Sequence, residues 1–599
     1  MTGEDHSDFG RHGDLVAGRA SWLTTLGRDM VWVLALLAAV WVVATTWAAA
    51  LVACASTGHD PLPLVDVVRV LATMWTRPGQ PLSGVDATLT LSGWIWFPLW
   101  AAAVLAVPVT VWRVSRRRRI ARARARDGWA RHDELEEKLG RSATVAQITR
   151  FRPDLAGTSD PLSVAVELGH YEKGNCPLFA TVEESIVVIA PPRSGKSSQA
   201  VIPMILGFGG PAVVTSTKKD LLQATWEHRS RLGPTWVIDV AGTTRWPELA
   251  SWCLSDGCND VKIAQDRARD MIGAVGGASS VENGGYWEAN ATGLLSCWLA
   301  AAAHGGLGAE AVLRWSQLQT TREPIEILEQ AGEAALARQL NGFVGAEERA
   351  KSGFWTMAAL PLGGLLQPLA GHALGATPGA GIDLHQFFEQ NGTIYLVASE
   401  GESSPLRGLL TALVDAIRVM AMMRAQHHST GRLQPPVLMM LDEAANICPL
   451  PALPGLMSVS GSQSLLIVVV MQSKIQAIRA WGAEGLRMMF AAARLKVLLG
   501  GQGDTEELED WSKLIGQRDA ELVSTTYSET GVSSAAQLQL RDIMSPSKLR
   551  QLPERLALVV YGSLPPAIIR QERAHEGRHA AVVASSTTLV DTIIDRGHL

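Results

Sequence analysis

Two long stretches without a charged side chain, residues 30–55 and 87–112, constrain this chain more than any other feature. Each contains 26 residues, whereas about 20 apolar residues are enough for a helix to cross the hydrocarbon core of a bilayer. Buried core helices rarely run this far without a charge. The sequence therefore predicts two membrane-spanning helices.

The charges beside these stretches predict their orientation. Residues 1–29 mix acidic and basic side chains, and the apolar stretch after them exceeds the about 7–15 residues of a signal peptide, so we expect no cleavage. Nine arginines lie between positions 113 and 131, whereas the loop between the spans has only Arg69 and Arg77. Because basic flanks stay on the cytoplasmic side, we expect both termini and the large body to be cytoplasmic, at the inner or plasma membrane. The arginine run could also form a DNA patch, but its position directly after a span favours topology and contact with anionic lipid.

Length and charge exclude several classes of protein. A chain of 599 residues is too long for one ordinary domain. Residues 1–150 contain 17 basic and 13 acidic side chains, and the remainder contains 36 and 45. Such an acidic body excludes a broad nucleic-acid-binding surface, so any DNA contact must be confined to a groove or pore. The six cysteines form no CxxC pair, which argues against a zinc site or a disulfide scaffold.

From residue 180 onward, apolar runs of strand length alternate with helical stretches, a pattern that predicts a mainly parallel α/β sheet. The candidate strands are residues 185–189, 212–215, 235–240, 393–399, 437–441, 465–471, 495–499 and 556–561. Residues 241–390 contain no convincing strand and are far longer than an ordinary connection. Helical patterns at 261–272, 286–303 and 324–341 predict an inserted helical domain there.

A phosphate-binding loop follows the first strand. Its residues are Ala190, Pro191, Pro192, Arg193, Ser194, Gly195, Lys196, Ser197 and Ser198. In a strand–loop–helix context, backbone N–H groups of such a loop surround the nucleotide phosphates. Lys196 would reach the β- and γ-phosphates, and Ser197 would bind Mg²⁺. The loop departs from the usual motif at one point, because Ala190 occupies the position of its first glycine.

Polar side chains also follow two later strands. Asp442 and Glu443 end the strand at 437–441, where Asp442 is suited to hold Mg²⁺ and Glu443 to activate the attacking water. An acidic cluster at the start of a helix is the alternative interpretation. Gln472 ends the strand at 465–471 and could sense the γ-phosphate, although a plain polar residue at a helix start explains it nearly as well. Together the three strand ends predict a RecA-like P-loop NTPase with ATP and Mg²⁺ as cofactors.

Further short segments accompany these motifs. In chain order they are residues 212–220, 237–239 and 441–446, followed by Gln472, Ser473 and Gln476. As an ordered set, over about residues 180–565, they resemble the TraG/TraD-type coupling proteins of type IV secretion, which are membrane ATPases that deliver DNA to a conjugation channel. The resemblance implies a homo-hexameric ring on the inner face of the membrane and ATP-driven passage of DNA, taken as single-stranded with its relaxase. It also implies that the helical insert contacts the relaxosome and that the ring contacts channel proteins.

The predicted fold is therefore an α/β, RecA-like P-loop NTPase with an inserted all-helical domain and an N-terminal two-helix transmembrane hairpin. Its segments are a leader at 1–29, the hairpin at 30–112, a basic linker and the start of the soluble part at 113–179, a nucleotide-binding domain at 180–240 and 391–565, the insert at 241–390, and a tail at 566–599.

Other functions stay open at this stage. An FtsK-like pump for double-stranded DNA has the same general build, but it usually carries a winged-helix module, for which the stretch after Pro565 is short. A receptor that recruits protein cargo to a secretion pore would suit the acidic body. A ring ATPase also needs a cation from the neighbouring subunit, for which Arg479, Arg487 and Arg494 are candidates, although an arginine in such a place is more often a surface or salt-bridging residue. Residues 498–502 resemble the signature of ABC transporters, but they follow the Asp-Glu strand and are better interpreted as a strand that ends in a glycine turn.

Overall fold

The computed structural model describes residues 47, 63, 66, 128–275, 284–398, 403–528 and 531–597. The chain divides into two compact units, Met1–Arg126 and Asp127–Leu599. Only three positions of the first unit are described, so the predicted leader, the second span and all of the first span except Trp47 lie outside the described residues. Within the described ranges, no helix has both the length and the hydrophobicity that a membrane span needs.

The second unit is built on a large sheet. Among the described residues, eleven strands form this sheet and two form a separate hairpin. The strands are β1 (Ala165–Tyr171), β2 (Pro177–Thr181), β3 (Ile186–Ile189), β4 (Ala212–Ser216), β5 (Thr235–Asp239), β6 (Thr393–Val397), β7 (Val437–Asp442), β8 (Leu465–Met471), β9 (Leu495–Leu499), β10 (Gln517–Ser528), β11 (Gly531–Asp542), β12 (Leu556–Tyr561) and β13 (Ala567–Arg570).

The order across the sheet is β2-β1-β13-β12-β9-β3-β8-β7-β4-β6-β5, and β10 pairs with β11. All neighbours from β9 to β5 are parallel, whereas β12, β13, β1 and β2 extend the sheet with antiparallel pairs. The predicted α/β class with a mainly parallel sheet is confirmed.

Both faces of the parallel part are buried, which explains why its strands are continuous apolar runs. Along β3, Val187 and Ile189 join one hydrophobic cluster, and Ile186 and Val188 join the other. All four side chains are fully buried. The alternation follows from the two-residue period of a strand, so the sheet separates two cores.

Each of the eight strands that the sequence predicts is present, with ends that differ by at most two residues. The five others, β1, β2, β10, β11 and β13, were not predicted. β1 contains a glycine, a histidine and a glutamate, and β2 begins with a proline, so neither resembles a continuous apolar run.

Helices cover the sheet. Those outside the stretch between β5 and β6 are α1 (His132–Leu139), α2 (Arg141–Val145), α3 (Ile148–Phe151), α4 (Ile202–Gly207), α5 (Asp220–Leu232), α14 (Ser403–His427), α15 (Ala444–Ile447), α16 (Leu453–Val459), α17 (Lys474–Ala492), α18 (Thr505–Ile515), α19 (Pro546–Arg550) and α20 (Ala580–Arg596). Those between β5 and β6 are α6 (Val261–Val275), α7 (Gly284–His304), α8 (Ala309–Leu318), α9 (Arg322–Gln330), α10 (Ala334–Val344), α11 (Glu348–Ala359), α12 (Pro368–Leu374) and α13 (Leu384–Glu389).

In its described part, the stretch between β5 and β6 is mainly helical from Val261 onward, with no named strand in it. Because β5 and β6 are parallel neighbours, this whole segment is one long crossover between adjacent strands. The helix predicted at 324–341 is wrong in one respect, since it is two helices, α9 and α10. Gly332 lies between them with φ +83°, a left-handed conformation that interrupts a right-handed helix.

The segment predicted as a tail, residues 566–599, is folded as far as it is described. β13 joins the sheet between β1 and β12. The final helix, α20, packs against α5: Gln223 Nε2 donates to Asp591 Oδ1 at 2.6 Å, and the Glu227 N–H donates to Ser586 Oγ at 3.1 Å. Val590 of α20 is fully buried.

Candidate functional site

Three neighbouring parallel strands end side by side, and the candidate side chains follow their carboxyl ends. Ile189 at the end of β3 pairs with Met471 at the end of β8, and Asp442 at the end of β7 pairs with Val470. The order β3-β8-β7 therefore brings the phosphate-binding loop, Gln472 and the Asp-Glu pair to one edge of the sheet. Carboxyl ends of parallel strands are the usual place for ligand sites in open α/β sheets.

The loop after β3 has the conformation that its glycine allows. Gly195 adopts φ +86°, and a Cβ there would collide with the side-chain amide of Gln199. Arg193, which is exposed, adopts φ +65°. Ala190 is not in the positive-φ region and its N–H donates to Met471 O at 2.9 Å, so it continues the sheet and a side chain is tolerated there. The missing first glycine thus has a structural explanation.

The turn continues into a helix that starts at the loop. Ser197–Val201 form one π-helical turn, and α4 follows directly. Ser197 is half-buried at the start of this turn, and Ser198 Oγ donates back to Gly195 O at 3.2 Å. Ser194 Oγ is buried and has no hydrogen-bond partner within the described residues. The loop therefore presents an unpaired hydroxyl and the first N–H groups of a helix, which are the donors that phosphate oxygens require.

Lys196 lies between the two acids. Its Nζ donates to Asp442 Oδ1 at 3.0 Å and also to Glu443 Oε1. Asp442 is 3% exposed and Glu443 is 2% exposed. Burial raises the pKa of Asp442 to about 6, although the Lys196 charge acts in the opposite direction. Burial by itself lowers the pKa of Lys196, but the two carboxylates outweigh it and the net shift is upward, so the ammonium stays charged.

Glu443 is held in place by several contacts. It adopts φ +57°, an uncommon conformation for a residue other than glycine, which occurs frequently at functional sites. Gln472 Nε2 donates to its Oε1 at 2.7 Å, and Asn446 Nδ2 donates to its Oε2 at 3.2 Å. The structure thus brings Gln472 to the acid. Asn446 holds the second oxygen of the same carboxylate, a role that its sequence pattern did not predict.

These residues fit a nucleotide with Mg²⁺. One cation, Lys196, faces two buried carboxylates, so the site has an excess of negative charge that a divalent ion would balance. Beside the loop lies a cavity of about 260 Å³, lined by Pro191–Ser194, Gln199, Leu499–Gly501 and Arg550–Leu556. The loop N–H groups and the Lys196 ammonium can bind phosphates, and the cavity beside them has room for a nucleoside.

The three arginines proposed as charge donors lie away from these groups. Arg479 and Arg487 are exposed on α17. Arg494 precedes β9, at the opposite edge of the sheet from the loop, where Nη1 lies 3.5 Å from Glu184 Oε1 and the guanidinium stacks over Tyr561. In the described part of the chain, none of the three forms an ion pair or hydrogen bond with a residue of the site.

Gln502 is a second residue that the sequence analysis missed. It is 4% exposed, and its Nε2 donates to Gln472 O at 3.3 Å. A usable signal was present, because β9 is predicted from the sequence and Gln502 follows its carboxyl end, as Gln472 follows β8. The segment 498–502 was predicted as a strand that ends in a glycine turn, but no role was assigned to Gln502 at its end.

Two protein-family models match the segments that contain these residues. The model of the family "Type IV secretory system Conjugative DNA transfer" matches residues 128–240, and that of "TraM recognition site of TraD and TraG" matches residues 436–554. These segments contain the loop after β3 and the strand ends of β7 and β8. None of the curated proteins compared with the chain matches it.

Solved structures share the fold. The bacterial conjugative coupling protein TrwBdeltaN70, in its unbound monoclinic form, is 18% identical with a TM-score of 0.51, and the match covers 66% of this chain and 87% of that one. TrwB with the non-hydrolysable GTP analogue GDPNP is 18% identical, and TrwB with ADP and Mg²⁺ is 17% identical. Both have a TM-score of 0.50 and cover 65% of this chain and 86% of theirs. Residues 128–240 and 436–554 are thus similar to the families of conjugative DNA transfer and of TraM recognition in TraD and TraG, and the chain shares the fold of the conjugative coupling protein TrwB.

Proposed function

We propose that this chain is a membrane-anchored ATPase that couples ATP hydrolysis to delivery of DNA, with its bound relaxase, into a type IV secretion channel. The observation that carries the proposal is the meeting of Lys196, Asp442, Glu443 and Gln472 at one edge of the sheet. The family models for conjugative DNA transfer and for TraM recognition support the DNA and relaxosome partners. The structures of TrwB with a GTP analogue and with ADP and Mg²⁺ support nucleotide and Mg²⁺ as ligands.

Each residue of the site has a separate role in the proposed hydrolysis of ATP. ATP supplies the phosphoanhydride bond, and Mg²⁺ offsets charge on its phosphates. The N–H groups of residues 193–198 and the Lys196 ammonium would hold the phosphates, and Ser197 and Asp442 would hold the metal. Glu443 accepts the proton of the attacking water at a carboxylate oxygen. Gln472 and Asn446 keep that carboxylate in one orientation, because each donates to one of its two oxygens.

The assembly belongs to the same proposal. The active form is a homo-hexamer at the inner or plasma membrane, with spans at 30–55 and 87–112 and with both termini and the ATPase body cytoplasmic. An arginine from the neighbouring subunit offsets charge at the γ-phosphate. The helical segment at 241–390 contacts the relaxosome, and the DNA passes as a single strand. The match to the TraM recognition model supports relaxosome binding by residues 436–554 as well.

Phosphate release by the full-length chain tests the proposal, measured alone and with single- or double-stranded DNA. We expect single-stranded DNA to raise the rate several-fold. Lys196→Ala and Glu443→Gln should each lower kcat by at least about 100-fold, because each removes a group that acts on the transition state. Glu443→Gln should still bind ATP, since it keeps the shape of the side chain, and a fluorescent ATP analogue can measure this binding.

The other outcomes contradict the proposal in different ways. Turnover at the parent rate in Lys196→Ala would place the ATPase site elsewhere. Stimulation by double-stranded DNA alone would indicate an FtsK-like pump. Protein cargo binding that survives in Lys196→Ala, together with a turnover that ignores both DNA forms, would indicate a recruiting receptor.

A further inference from the structure

We infer that Gln502 is a positioning residue of the hydrolytic site: its side-chain amide fixes Gln472, and through Gln472 it fixes the carboxylate of Glu443. The inference rests on the proposed ATPase activity. It concerns a residue that lies outside the phosphate-binding loop and outside the Asp-Glu pair.

The first step is the placement of Gln502. β9 lies next to β3 on the side opposite to β8, and its carboxyl end reaches the same edge of the sheet. Gly500 and Gly501 follow it. A Cβ at Gly500 would collide with Leu552 O, and Gly501 adopts φ +90°, so the chain can turn sharply only with glycine here. After this turn, the side chain of Gln502 lies against Gln472 at the end of β8, and Gln502 is 4% exposed.

The second step is the use of its amide group. Gln502 Nε2 donates to Gln472 O at 3.3 Å and to Glu507 Oε2 at 3.0 Å. A primary amide has two N–H donors, so both are used, and they join two different elements of the fold. Its Oε1 accepts from the Gly503 N–H at 3.3 Å. A buried amide satisfied in this way resists displacement, because any rotation leaves a buried polar group unpaired.

The main chain of Gln472 is fixed on both sides, and this places its side chain. The Gln472 N–H donates to Gln476 Oε1 at 3.2 Å, and its carbonyl accepts from Gln502. The peptide groups on both sides of its Cα are therefore held by side-chain amides. The side chain then reaches Glu443 Oε1 at 2.7 Å. Movement of the Gln472 main chain would change this distance directly.

Gln502 is itself held by Glu507 of α18. Glu507 is 1% exposed, and its Oε2 also accepts the Lys474 N–H at 3.3 Å, at the start of α17. Burial raises the pKa of Glu507. The carboxylate of Asp504 caps the first turn of α18 by accepting from the Glu506 and Glu507 N–H groups. The path from α18 to Glu443 thus runs through Glu507, Gln502 and Gln472.

The experiment uses the full-length chain with Gln502→Leu, which keeps most of the volume but removes the donors, and Gln502→Ala. We expect kcat to fall about five- to tenfold in both, the effect of one lost hydrogen bond. Affinity for a non-hydrolysable ATP analogue should stay within about twofold, because Gln502 touches no phosphate-binding group. Gln571→Leu is the matched control: Gln571 is 2% exposed and its Nε2 donates to Leu168 O at 2.9 Å, at the antiparallel end of the sheet. It should lose similar thermal stability and keep kcat.

A double-mutant cycle separates positioning from a general structural role. In a Gln472→Ala background, Gln502→Leu should lower kcat no further, because the group through which it acts is gone. An additional fall in kcat equal to that in the parent background would overturn the inference, as would a parent-like kcat in Gln502→Leu. If the parent chain shows no ATP hydrolysis that is lost in Glu443→Gln, both the proposed function and this inference are overturned. Normal parent turnover with an unaffected Gln502→Leu would overturn this inference alone.

Discussion

At the scale of single residues, two buried groups of acids are balanced in different ways. In the candidate site, Lys196 lies between Asp442 and Glu443. In the helical part, Asp270 on α6 is 6% exposed and faces Asp415 on α14, which is 3% exposed. Arg418 Nε donates to Asp415, so that carboxylate is paired. Burial first, and then the charge of Asp415, raise the pKa of Asp270 to about 9. Asp270 therefore keeps its proton at neutral pH and shares it with its neighbour.

Asp270→Asn should remove a pH dependence of stability. The folded pKa lies above the unfolded value of about 3.9, so between these values the unfolded chain releases a proton that the folded chain keeps. Stability from this group is therefore complete at low pH and is lost as pH rises through the window. Asparagine carries no such proton, so at pH 8 the variant should be more stable than the parent by at least about 1 kcal/mol, and near pH 4 the two should be similar.

Urea unfolding at several pH values measures this difference. The groups that face Asp270 include Asp415 and Arg418, with Asp266 on its own helix. Asp266→Asn on α6 is the control: Asp266 pairs with Arg269, and its charge is the smallest of those that raise the pKa of Asp270, so most of the pH dependence should remain. Identical pH profiles for Asp270→Asn and the parent would contradict the shared proton.

At the scale of elements, the docking of α20 on α5 is the contact that the sequence least suggests. The stretch from 574 to 599 contains no recognisable motif, yet α20 buries Val583, Val590 and Ile594. Its Ser586 and Asp591 side chains accept hydrogen bonds from α5. The apolar residues recur at helical spacing, which makes one face of α20 a packing surface. The helix is therefore part of the folded unit.

Val590→Ala should destabilise the folded chain by about 2 kcal/mol, the cost of removing two buried methyl groups and leaving a small cavity. Hydrogen exchange of α5 amides should also become faster, since α20 covers that helix. The free energy of unfolding in urea measures the first effect, and mass spectrometry measures the second. Leu589→Ala, at a neighbouring position that is 37% exposed, is the control and should have a much smaller effect. Equal losses in both variants would show that α20 is not docked through Val590.

At the scale of the whole molecule, charge divides along the chain. Residues 1–150 have an excess of basic side chains, and the remainder has 45 acidic against 36 basic ones. An acidic body repels DNA at long range, so the proposed DNA contact must be local and sensitive to salt. The arginine run after the second predicted span would face anionic lipid instead.

Removal of residues 30–112 should release the chain from membranes. The two uncharged stretches are each long enough to cross the bilayer, and an apolar helix of that length inserts in an effectively irreversible way. The full-length chain should therefore stay in the membrane fraction after a high-salt wash, whereas the variant should appear in the soluble fraction. A variant with Arg116, Arg117, Arg118 and Arg119 changed to Gln is the control for simple electrostatic attachment. Release of the full-length chain by salt alone would contradict the two spans.

The sequence by itself determined the elements and the chemistry at their ends. Runs such as Val437–Asp442 and Leu465–Met471 are apolar because both faces of the parallel sheet are buried, and that pattern is visible without knowing the partners. The loop around Lys196, the acids at 442 and 443, and Gln472 were predicted for the same reason, since each follows a strand that can be recognised locally. Spacing along the chain also predicted the long helical stretch between β5 and β6.

Only the tertiary structure decided which elements meet. The order β9-β3-β8-β7 brings Lys196 to acids 246 and 247 residues away and Gln502 to a carbonyl 30 residues away. The antiparallel strands β1, β2 and β13 and the docking of α20 on α5 depend in the same way on distant partners. Local propensity depends on a residue and its near neighbours. Pairing across the sheet depends on complementary surfaces formed only when the chain closes long loops, so no short stretch of sequence contains it.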